Sequence, residues 1–386
     1  MRTQVGIVGA GPAGLTLAML LHRENIECVV LEARDRAYVE KRVRAGLLEQ
    51  NTVDLLRELG VGERLDREGL VHAGVYLRHH GENHHVDMAA LTGRHITIYG
   101  QQEVVKDLTG ALLDREVPVH FEVKDVELHD VDSDTPRITF NHDGENQELT
   151  CEAIAGCDGF HGVSRRTIAE HLTEYDFAYP FGWLGILAEA QPATEELIYA
   201  WHERGFALYT MRSQKISRLY LQVPADEDIE NWPDERIWEE LGTRLGEVNQ
   251  GNIFEKGITP MRSFVAEPMQ RGRLFLAGDS AHIVPPTGAK GLNLAVNDVR
   301  LLAPALTELI KDGSSNRADG YTNAALRRVW RAQDFSNYMT LLLHDLGHGA
   351  FDRQLQLARL EYLSRSQTAA RSLAENYAGL PAEPDF

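Results

Sequence analysis

The sequence predicts an α/β fold: a Rossmann-type, doubly wound nucleotide-binding domain with a separate β-rich substrate domain and a helical C-terminal region. Three stretches of the chain predict it. An apolar strand at residues 4–8 leads through a glycine turn into a helix and then into a second strand ending at Glu32. Residues 179–223 alternate in short β-like runs, and the chain is typical of helices from Leu292 onward.

The individual elements follow from local patterns. The predicted elements are a helix at 15–22, a strand at 27–32, hairpin strands at 138–140 and 148–155 around Asp143-Gly144, a buried strand at 273–277, and a helical tail interrupted at 312–316. This order predicts a discontinuous nucleotide-binding domain at residues 1–175 and 265–298. The substrate domain is predicted at 176–264 and the helical region, as a possible interface, at 299–386.

Composition limits the classes of partner. The 386 residues include 58 acidic and 39 basic side chains, for a net charge of -19. Such a field repels phosphate backbones and anionic lipids, so nucleic acid and membranes are poor partners, and an anionic ligand needs a local basic pocket. Three cysteines without a metal-like pattern favour a reducing compartment. Because a fold motif begins almost at Met1 and no apolar run could span a bilayer, we expect a cytoplasmic protein without a signal peptide.

A dinucleotide-binding fingerprint lies between the first strand and the first helix. Gly9 permits a tight turn, Gly11 lets backbone amides approach a pyrophosphate, and Gly14 lets the helix pack closely on the strand. Ala13 lies in the first turn of that helix, whose N-terminus favours a phosphate. Glu32, at the end of the next strand, is spaced to accept hydrogen bonds from a ribose. A glycine turn without a ligand is the alternative interpretation.

A second element distinguishes FAD from NAD. The buried strand at 273–277 ends in Gly278-Asp279, where an acidic side chain would meet a polyol at the carboxyl end of the strand. A ribityl chain offers such hydroxyls, whereas a simple NAD-dependent dehydrogenase has no need of this residue. The loop at 285–293 follows, with two prolines to fix it and glycines that let its amides face a flavin ring. The alternative is a rigid turn before a helix.

A third element is an Asp-Gly turn at Asp158-Gly159. His161 and Arg165 follow it closely enough to reach a dinucleotide phosphate. The alternative is a structural turn with solvated charges.

Together these three elements resemble the class A flavoprotein aromatic hydroxylases. Residues 42–50, 99–101, 179–185 and 374–381 resemble in particular the members that act on 4-hydroxybenzoate, so the resemblance spans nearly the whole chain. It implies an FAD-dependent monooxygenase that hydroxylates 4-hydroxybenzoate ortho to the phenol, giving 3,4-dihydroxybenzoate. It also implies O2 and NADPH or NADH as cosubstrates, and a homodimer.

The resemblance assigns the substrate contacts residue by residue. Arg212 would hold the substrate carboxylate bidentately, as guanidinium geometry permits, with Met211 beside it. Thr210 and Tyr220 would donate hydroxyl hydrogen bonds to the same carboxylate. The family usually has Ser where this chain has Thr210, so the hydroxyl is kept and a methyl group is added to the pocket.

A proton path is implied at the other end of the substrate. Tyr199 would contact the phenol, with Tyr377 behind it and His72 toward solvent, and the carbonyl of Pro286 would lie near the hydroxyl being activated. The ring must become phenolate to react, and a free phenol loses its proton only near about pH 10. The site must therefore stabilise the anion.

The remaining assignments concern the two nucleotides. The positions implied to meet FAD are Gly9, Gly11, Ala13, Gly14, Glu32, Arg42, Val43, Arg44, Ala45, Gly46, Leu47, Gln101, Arg218, Asp279, Leu292 and Asn293. Those implied for the nicotinamide cofactor are Arg34, Tyr38, Arg42, Arg44, His161 and Arg262. The stretch after Glu32 lacks the basic residue that NADPH-preferring members have at Ala33, but basic residues outnumber acidic ones there. We expect NADPH to be preferred with NADH usable, the alternative being that Asp35 and Glu40 repel the 2′-phosphate.

Several alternatives stay open. Within the family, a preference for 3-hydroxybenzoate or 3,4-dihydroxybenzoate is the main one, and an NAD-dependent dehydrogenase or a non-catalytic flavin-binding protein are others. A halogenase is disfavoured because its Trp-x-Trp-x-Ile-Pro run is absent. The four histidines at 79–85 have no regular ligand spacing, and the pair His344 and His348 lacks a third ligand downstream, so we expect no metal site. Leu301, Leu302, Leu306 and Leu309 are candidate dimer contacts.

Overall fold

The computed structural model describes residues 1–42 and 46–381. In this part of the chain the strands are, in order, β1 (Val5–Val8), β2 (Cys28–Leu31), β3 (Leu47–Glu49), β4 (Leu70–His72), β5 (Gly74–His79), β6 (Glu82–Asp87), β7 (Ile96–Ile98), β8 (Val119–His120), β9 (Lys124–His129), β10 (Arg137–His142), β11 (Glu145–Thr150), β12 (Ala153–Gly156), β13 (Thr173–Glu189), β14 (Ile198–Ala200), β15 (Ala207–Ser213), β16 (Ile216–Pro224), β17 (Asn252–Glu267), β18 (Gln270–Arg271), β19 (Leu274–Leu276) and β20 (His282–Ile283).

The α-helices of the same part of the chain complete the order. They are α1 (Pro12–Arg23), α2 (Arg36–Lys41), α3 (Gln50–Glu58), α4 (Glu63–Glu68), α5 (Met88–Thr92), α6 (Gln101–Asp114), α7 (Val163–Thr167), α8 (Asp234–Leu245), α9 (Gly291–Lys311), α10 (Asn316–Leu343), α11 (Ala350–Arg365) and α12 (Gln367–Ala378). Short 3-10 turns include Gly278–Ser280 and Pro286–Gly288.

The predicted α/β fold class is confirmed. A sheet of order β18-β19-β12-β1-β2-β8 is parallel from β19 to β8, with β18 antiparallel at its edge. Its central strands β1 and β19 are fully buried on both faces, as expected for a parallel sheet covered by helices. Parallel pairing brings the carboxyl ends of β1, β2, β12 and β19 to one edge, where ligands of such sheets bind.

A second, mostly antiparallel sheet has the order β20-β17-β13-β16-β15-β14-β5-β6. It contains the β-rich middle of the chain, and the long strands β13 and β17 extend from it toward the first sheet. The hairpin of β5 and β6 also joins this sheet, through parallel pairing of β14 with β5, although its residues lie in the interval predicted for the nucleotide-binding domain. The predicted boundaries of the nucleotide-binding and substrate domains, given above as residue ranges, therefore stay a prediction.

The predicted hairpin around Asp143 is only partly correct. β10 and β11 pair across Asp143 and Gly144, which both have positive φ (54° and 81°), the conformation of a tight hairpin turn. The second predicted strand, at 148–155, is in fact two. β11 ends at Thr150, and β12 leaves the hairpin to pair in parallel with β1, because its apolar residues are all buried in the first sheet.

The helical tail is confirmed, with a break between Lys311 and Asn316. The leucines suggested as dimer contacts do not form an exposed face, because Leu302, Leu306 and Leu309 are at most 8% exposed and pack in the core of their own chain with Leu301 against it. Among the described residues, no helix is long and apolar enough to cross a membrane.

Substitution of Gly14 tests the contact between α1 and the turn after β1. An added Cβ would lie 2.0 Å from the carbonyl oxygen of Gly9, so the helix would have to move. We expect Gly14→Ala to lower the free energy of unfolding by about 1–3 kcal/mol, the usual cost of overpacking. Gly11→Ala is the matched control, since no atom lies within 4 Å of its Cβ position. Equal urea-unfolding midpoints for both variants would contradict this packing.

Candidate functional site

The turn after β1 has the geometry of a phosphate-binding loop. Gly9 has φ of 106°, and a Cβ on it would lie 2.3 Å from the backbone oxygen of Cys157, so this position requires glycine. Gly11, by contrast, faces open space. The amides at the start of α1 have no side-chain cap and follow Pro12 at the first helical position. Backbone donors and the helix dipole thus converge on the space beside Gly11, which fits a pyrophosphate.

Glu32 lies one residue beyond β2, beside this turn. One carboxylate oxygen accepts the amide hydrogen of Ala10 at 2.8 Å and the other that of Arg34 at 2.8 Å. These bonds fix the carboxylate at the edge where β1 and β2 end. A carboxylate oxygen has room for more than one donor, so this placement suits ribose hydroxyls.

The turn Gly278–Ser280 follows β19 at the same edge of the sheet. Gly278 has φ of 67°, and its Cβ position is 3.4 Å from the Cβ of Ala13, so the turn touches the first helix. Asp279 is exposed, whereas Gly278 and Ser280 are buried. This places an acidic side chain at the carboxyl ends of the parallel strands, as the sequence predicted for a polyol ligand.

The loop after β20 leads into the N-terminus of α9. Pro286 is exposed, and α9 begins at Gly291 without a side-chain cap, so the amides of its first turn, including that of Leu292, are available to an acceptor. The side chain of Asn293 has a different role from the one implied. It donates to the carbonyls of Leu47 (3.0 Å) and Ala289 (3.1 Å) and accepts from the amide of Glu49 and the hydroxyl of Thr52. Only its backbone amide remains suited to a cofactor.

Gly46, immediately before β3, lies against a residue of the second sheet. Val43, Arg44 and Ala45 lie outside the described residues. A Cβ on Gly46 would lie 2.5 Å from the carbonyl oxygen of Tyr99 and 2.8 Å from Nη1 of Arg212. The chain therefore needs glycine here, and Arg212 lies directly against the segment implied to hold FAD. Gln101 begins α6 just beyond Tyr99.

Arg212 lies at a β-bulge. Thr210 is opposite Arg218 and Met211 opposite Ser217, after which the register shifts before Ser213. Bulges re-aim side chains, and this one accounts for the direction of Arg212. Burial lowers the pKa of the Arg212 guanidinium to about 10, which still leaves it cationic at neutral pH. Met211 is buried on the face of the strand opposite to Thr210, so its side chain is not directed to the same pocket.

Tyr220 links the parts of this pocket. The Nε of Arg218 donates to its hydroxyl, and the guanidinium carbon of Arg218 lies 5.1 Å from the ring centroid. Trp183 packs against the same ring at 4.9 Å between centroids, and Gly185 leaves room for it. Tyr220 is also close enough to Arg212 and Tyr199 to act on both electrostatically. The Tyr220 hydroxyl and the Arg212 guanidinium implied for a carboxylate are thus close to each other.

Tyr199 and Tyr377 form a buried hydroxyl pair. Tyr199 in β14 is 1% exposed and Tyr377 in α12 is 0% exposed, and their hydroxyl oxygens are 2.6 Å apart. Burial raises the pKa of both phenols above the ordinary value, so both stay protonated at neutral pH. The pair can pass a proton but cannot hold a negative charge of its own.

His72 is not directed toward solvent as expected. It is 2% exposed, and burial lowers the pKa of its imidazole to about 4 despite the nearby Glu196 carboxylate. Neither ring nitrogen has a hydrogen-bond partner among residues 1–42 and 46–381. His72 is therefore a neutral, buried imidazole at the end of β4.

A buried charge cluster behind Tyr377 was missed by sequence reasoning. Lys290 donates to Glu49 at 2.7 Å and to the backbone oxygen of Tyr377 at 2.9 Å, and Arg328 pairs with the other oxygen of Glu49. Although burial opposes it, the two cations hold the pKa of the Glu49 carboxyl below its ordinary value. Glu49 and Lys290 lie in the sequence runs that carried the resemblance, but only their burial identifies them.

The residues implied for the nicotinamide cofactor form two groups. Arg34 and Arg42 lie over the exposed ring of Tyr38, with guanidinium carbons 5.1 and 5.9 Å from its centroid. The second group surrounds Phe160: Arg262 lies 4.4 Å and the ring of His161 5.1 Å from its centroid.

In that second group, Arg262 is ion-paired with Asp176, which raises the pKa of the guanidinium. Arg165 pairs with Glu174 and with the carbonyl of Phe160. In the second group each of these arginines thus has a carboxylate partner, which distinguishes it from the pair of arginines beside Tyr38.

Comparison with known proteins agrees with this geometry. Residues 2–336 match the family described as FAD binding domain. The chain is 47% identical to p-hydroxybenzoate hydroxylase of Acinetobacter baylyi over 391 residues, covering 99% of this chain and 96% of that protein. Among solved structures, p-nitrophenol 4-monooxygenase from Pseudomonas putida is similar with a TM-score of 0.84 and 20% identity, covering 99% of this chain and all of that one.

A ternary complex of aklavinone-11 hydroxylase with FAD and aklavinone is similar with a TM-score of 0.75 and 21% identity, covering 90% of this chain and 70% of that one. At these identities the two structural likenesses establish the fold alone. The glycine turn, Glu32 and Asp279 fit FAD in chemistry and position. The chain therefore belongs to the FAD binding domain family, among the FAD-dependent aromatic hydroxylases.

Proposed function

We propose that the protein hydroxylates 4-hydroxybenzoate ortho to the phenol to give 3,4-dihydroxybenzoate, consuming O2 and NAD(P)H. The observation that carries this proposal is that Tyr220 lies within electrostatic reach of both the half-buried Arg212 and Tyr199 of the buried tyrosine pair. A para-substituted ring with a carboxylate at one end and a phenol at the other matches such a pocket. The 47% identity to p-hydroxybenzoate hydroxylase supports the same substrate.

The carboxylate end of the substrate would be bound by Arg212. A guanidinium binds a carboxylate through two parallel, charge-assisted hydrogen bonds, which are stronger than bonds between neutral groups. Tyr220 and Thr210 add hydroxyl donors, and Arg218 restrains the Tyr220 ring. The net charge of -19 makes such a localised cation necessary for an anionic substrate.

The phenol end would meet Tyr199. Its hydroxyl can accept the hydrogen bond of a phenol or donate to a phenolate, because Tyr377 can take either complementary role across the 2.6 Å contact. Passing the proton along this pair makes the ring electron-rich without leaving a charge on either tyrosine. Lys290, held to the backbone of Tyr377, adds positive charge on the side where the anion forms.

FAD, when bound, supplies the redox chemistry by which reducing equivalents from the nicotinamide activate O2. The glycine turn after β1, Glu32 and Asp279 would hold it at the carboxyl ends of β1, β2 and β19. Gly46, which lies against Arg212, would adjoin both sites. The buried rings of Trp183 and Phe206 stack at 5.1 Å between centroids and contact the rings of Tyr220 and Tyr199, respectively, so they add apolar surface beside both tyrosines.

For the reductant we propose NADPH with NADH usable. Arg36 is ion-paired with Glu40, and Asp35 caps α2 through the amide of Tyr38, so both acidic side chains have local partners. This supports a 2′-phosphate site at Arg34 and Arg42 beside Tyr38.

We also propose that the protein works in the cytoplasm as a homodimer. Size-exclusion chromatography with light scattering tests the oligomeric state.

The function is tested by nucleotide oxidation with a panel of benzoates. We expect 4-hydroxybenzoate to stimulate NADPH oxidation most and to yield 3,4-dihydroxybenzoate, identified by chromatography and mass. Faster, coupled turnover of 3-hydroxybenzoate or 3,4-dihydroxybenzoate would overturn the substrate proposal.

The same assay with NADH, at matched ionic strength, tests the reductant. A preference for NADH of about tenfold, or about 1.4 kcal/mol, would contradict the NADPH proposal.

Arg212→Lys tests the carboxylate site. Lysine keeps the charge but loses the two parallel donors, so we expect 4-hydroxybenzoate binding to weaken by about 1.5–3 kcal/mol. The measurement is a titration that follows the flavin absorption spectrum, and FAD should stay bound. Arg271→Lys, an exposed arginine paired with Asp132, is the matched control and should bind normally. Unchanged affinity in Arg212→Lys would show that the carboxylate is held elsewhere.

Tyr199→Phe tests the proton path. Without the hydroxyl the ring is not activated, so nucleotide oxidation should continue while oxygen is released as hydrogen peroxide instead of entering the product. Tyr377→Phe should have the same effect more mildly. The control is Tyr209→Phe, in the same sheet as Tyr199. It removes a hydroxyl that accepts a hydrogen bond from the amide of Ala193. Product formed in full proportion to oxidised nucleotide in Tyr199→Phe would remove this residue from the mechanism.

A further inference from the structure

A buried ion pair lies behind the Gly278–Ser280 turn and has no part in the proposed chemistry. His282 is 2% exposed and Asp298 is 0% exposed, and Nε2 of His282 lies 2.6 Å from Oδ2 of Asp298. Burial alone would lower the pKa of the imidazole, but the Asp298 carboxylate outweighs it and raises that pKa. Charges are expensive to bury, and apolar pairs of similar volume often serve stability as well. The pair therefore calls for a role beyond stability.

The same oxygen of Asp298 also accepts a backbone hydrogen bond. The amide of Gly278 donates to Oδ2 at 2.8 Å. Gly278 has φ of 67°, and this left-handed conformation points its amide into the protein, toward α9. Asp298 thus holds the first residue of the turn that presents Asp279 at the FAD site.

The remaining polar groups of the turn are fixed from the opposite side. The hydroxyl of Ser280 donates to the carbonyl oxygen of Gly156, at the end of β12, at 2.6 Å. With Gly278 held by α9 and Ser280 by β12, the exposed Asp279 between them has little freedom. His282 belongs to β20, which pairs with β17, so the ion pair also joins the turn to the edge of the second sheet.

We propose that Asp298, held in place by His282, is a positioning residue for FAD, because its hydrogen bond to the Gly278 amide sets the shape of the turn that carries Asp279. Asp298 and His282 do not themselves reach the cofactor. They act through the backbone of Gly278. The proposal concerns cofactor binding and is independent of which aromatic acid the protein hydroxylates.

The test separates positioning from stability. The double variant Asp298→Leu/His282→Phe replaces the ion pair with apolar side chains, so the thermal midpoint of the holoprotein should stay within a few degrees of wild type. The Gly278 amide nevertheless loses its acceptor. We expect the dissociation constant of FAD, measured from the rise in flavin fluorescence on diluting the full-length holoprotein, to increase at least tenfold. Affinity equal to wild type in this folded variant would overturn the proposal.

Asp298→Asn provides a second measurement if the double variant does not fold. The amide oxygen can still accept from Gly278, but the counter-charge of His282 is lost. We expect FAD affinity within threefold of wild type and a lower thermal midpoint, and a tenfold loss of affinity would contradict the role of the Gly278 bond. His344→Phe is the matched control, because it removes another buried imidazole, which accepts from Trp183 away from the turn, and should lower stability without changing FAD affinity.

Discussion

The close approach of Arg212 to the backbone at Gly46 brings together the two halves of the site. The guanidinium can lie there only because Gly46 has no side chain, and the bulge before Ser213 directs it. Gly46 belongs to the segment leading into β3, and Arg212 belongs to the second sheet. The proposed cofactor site at the first sheet and the proposed anion site at the second therefore adjoin where this side chain meets the backbone.

The charges of the protein are distributed unevenly around this contact. With a net charge of -19, the protein as a whole repels anionic ligands, yet cations are concentrated where an anion is to bind. Arg212 and Arg218 lie at the proposed carboxylate pocket, and Lys290 lies behind Tyr377, where it is paired with Glu49. Because Lys290 is buried and the two arginines are half-buried, salt screens them less than it screens the exposed ion pairs of the surface.

Buried titratable groups divide between two roles. Tyr199 and Tyr377 keep their protons because burial raises their pKa, so they can relay a proton without competing for the charge. His344 is neutral for the opposite reason, since burial lowers the pKa of its imidazole to about 3, and it serves as an acceptor for the indole of Trp183. His282 is the exception, because Asp298 provides a counter-charge within hydrogen-bond distance. Local partners, and not depth alone, decide which buried groups are charged.

The sequence by itself determined the nucleotide-binding half of this protein, because Gly9, Gly11, Gly14 and Glu32 act within one short unit whose geometry follows from local backbone rules. It also gave the helical tail and the hairpin turn at Asp143. Tertiary structure decided what depends on segments far apart in the chain. Tertiary structure separated β12 from the hairpin and buried His72. It also directed the Asn293 side chain to β3 and brought together Glu49, Lys290 and Arg328. Residue type and spacing do not specify which distant side chain will share a buried volume, and burial is what sets the pKa, the hydrogen-bond partners and hence the role of each of these groups.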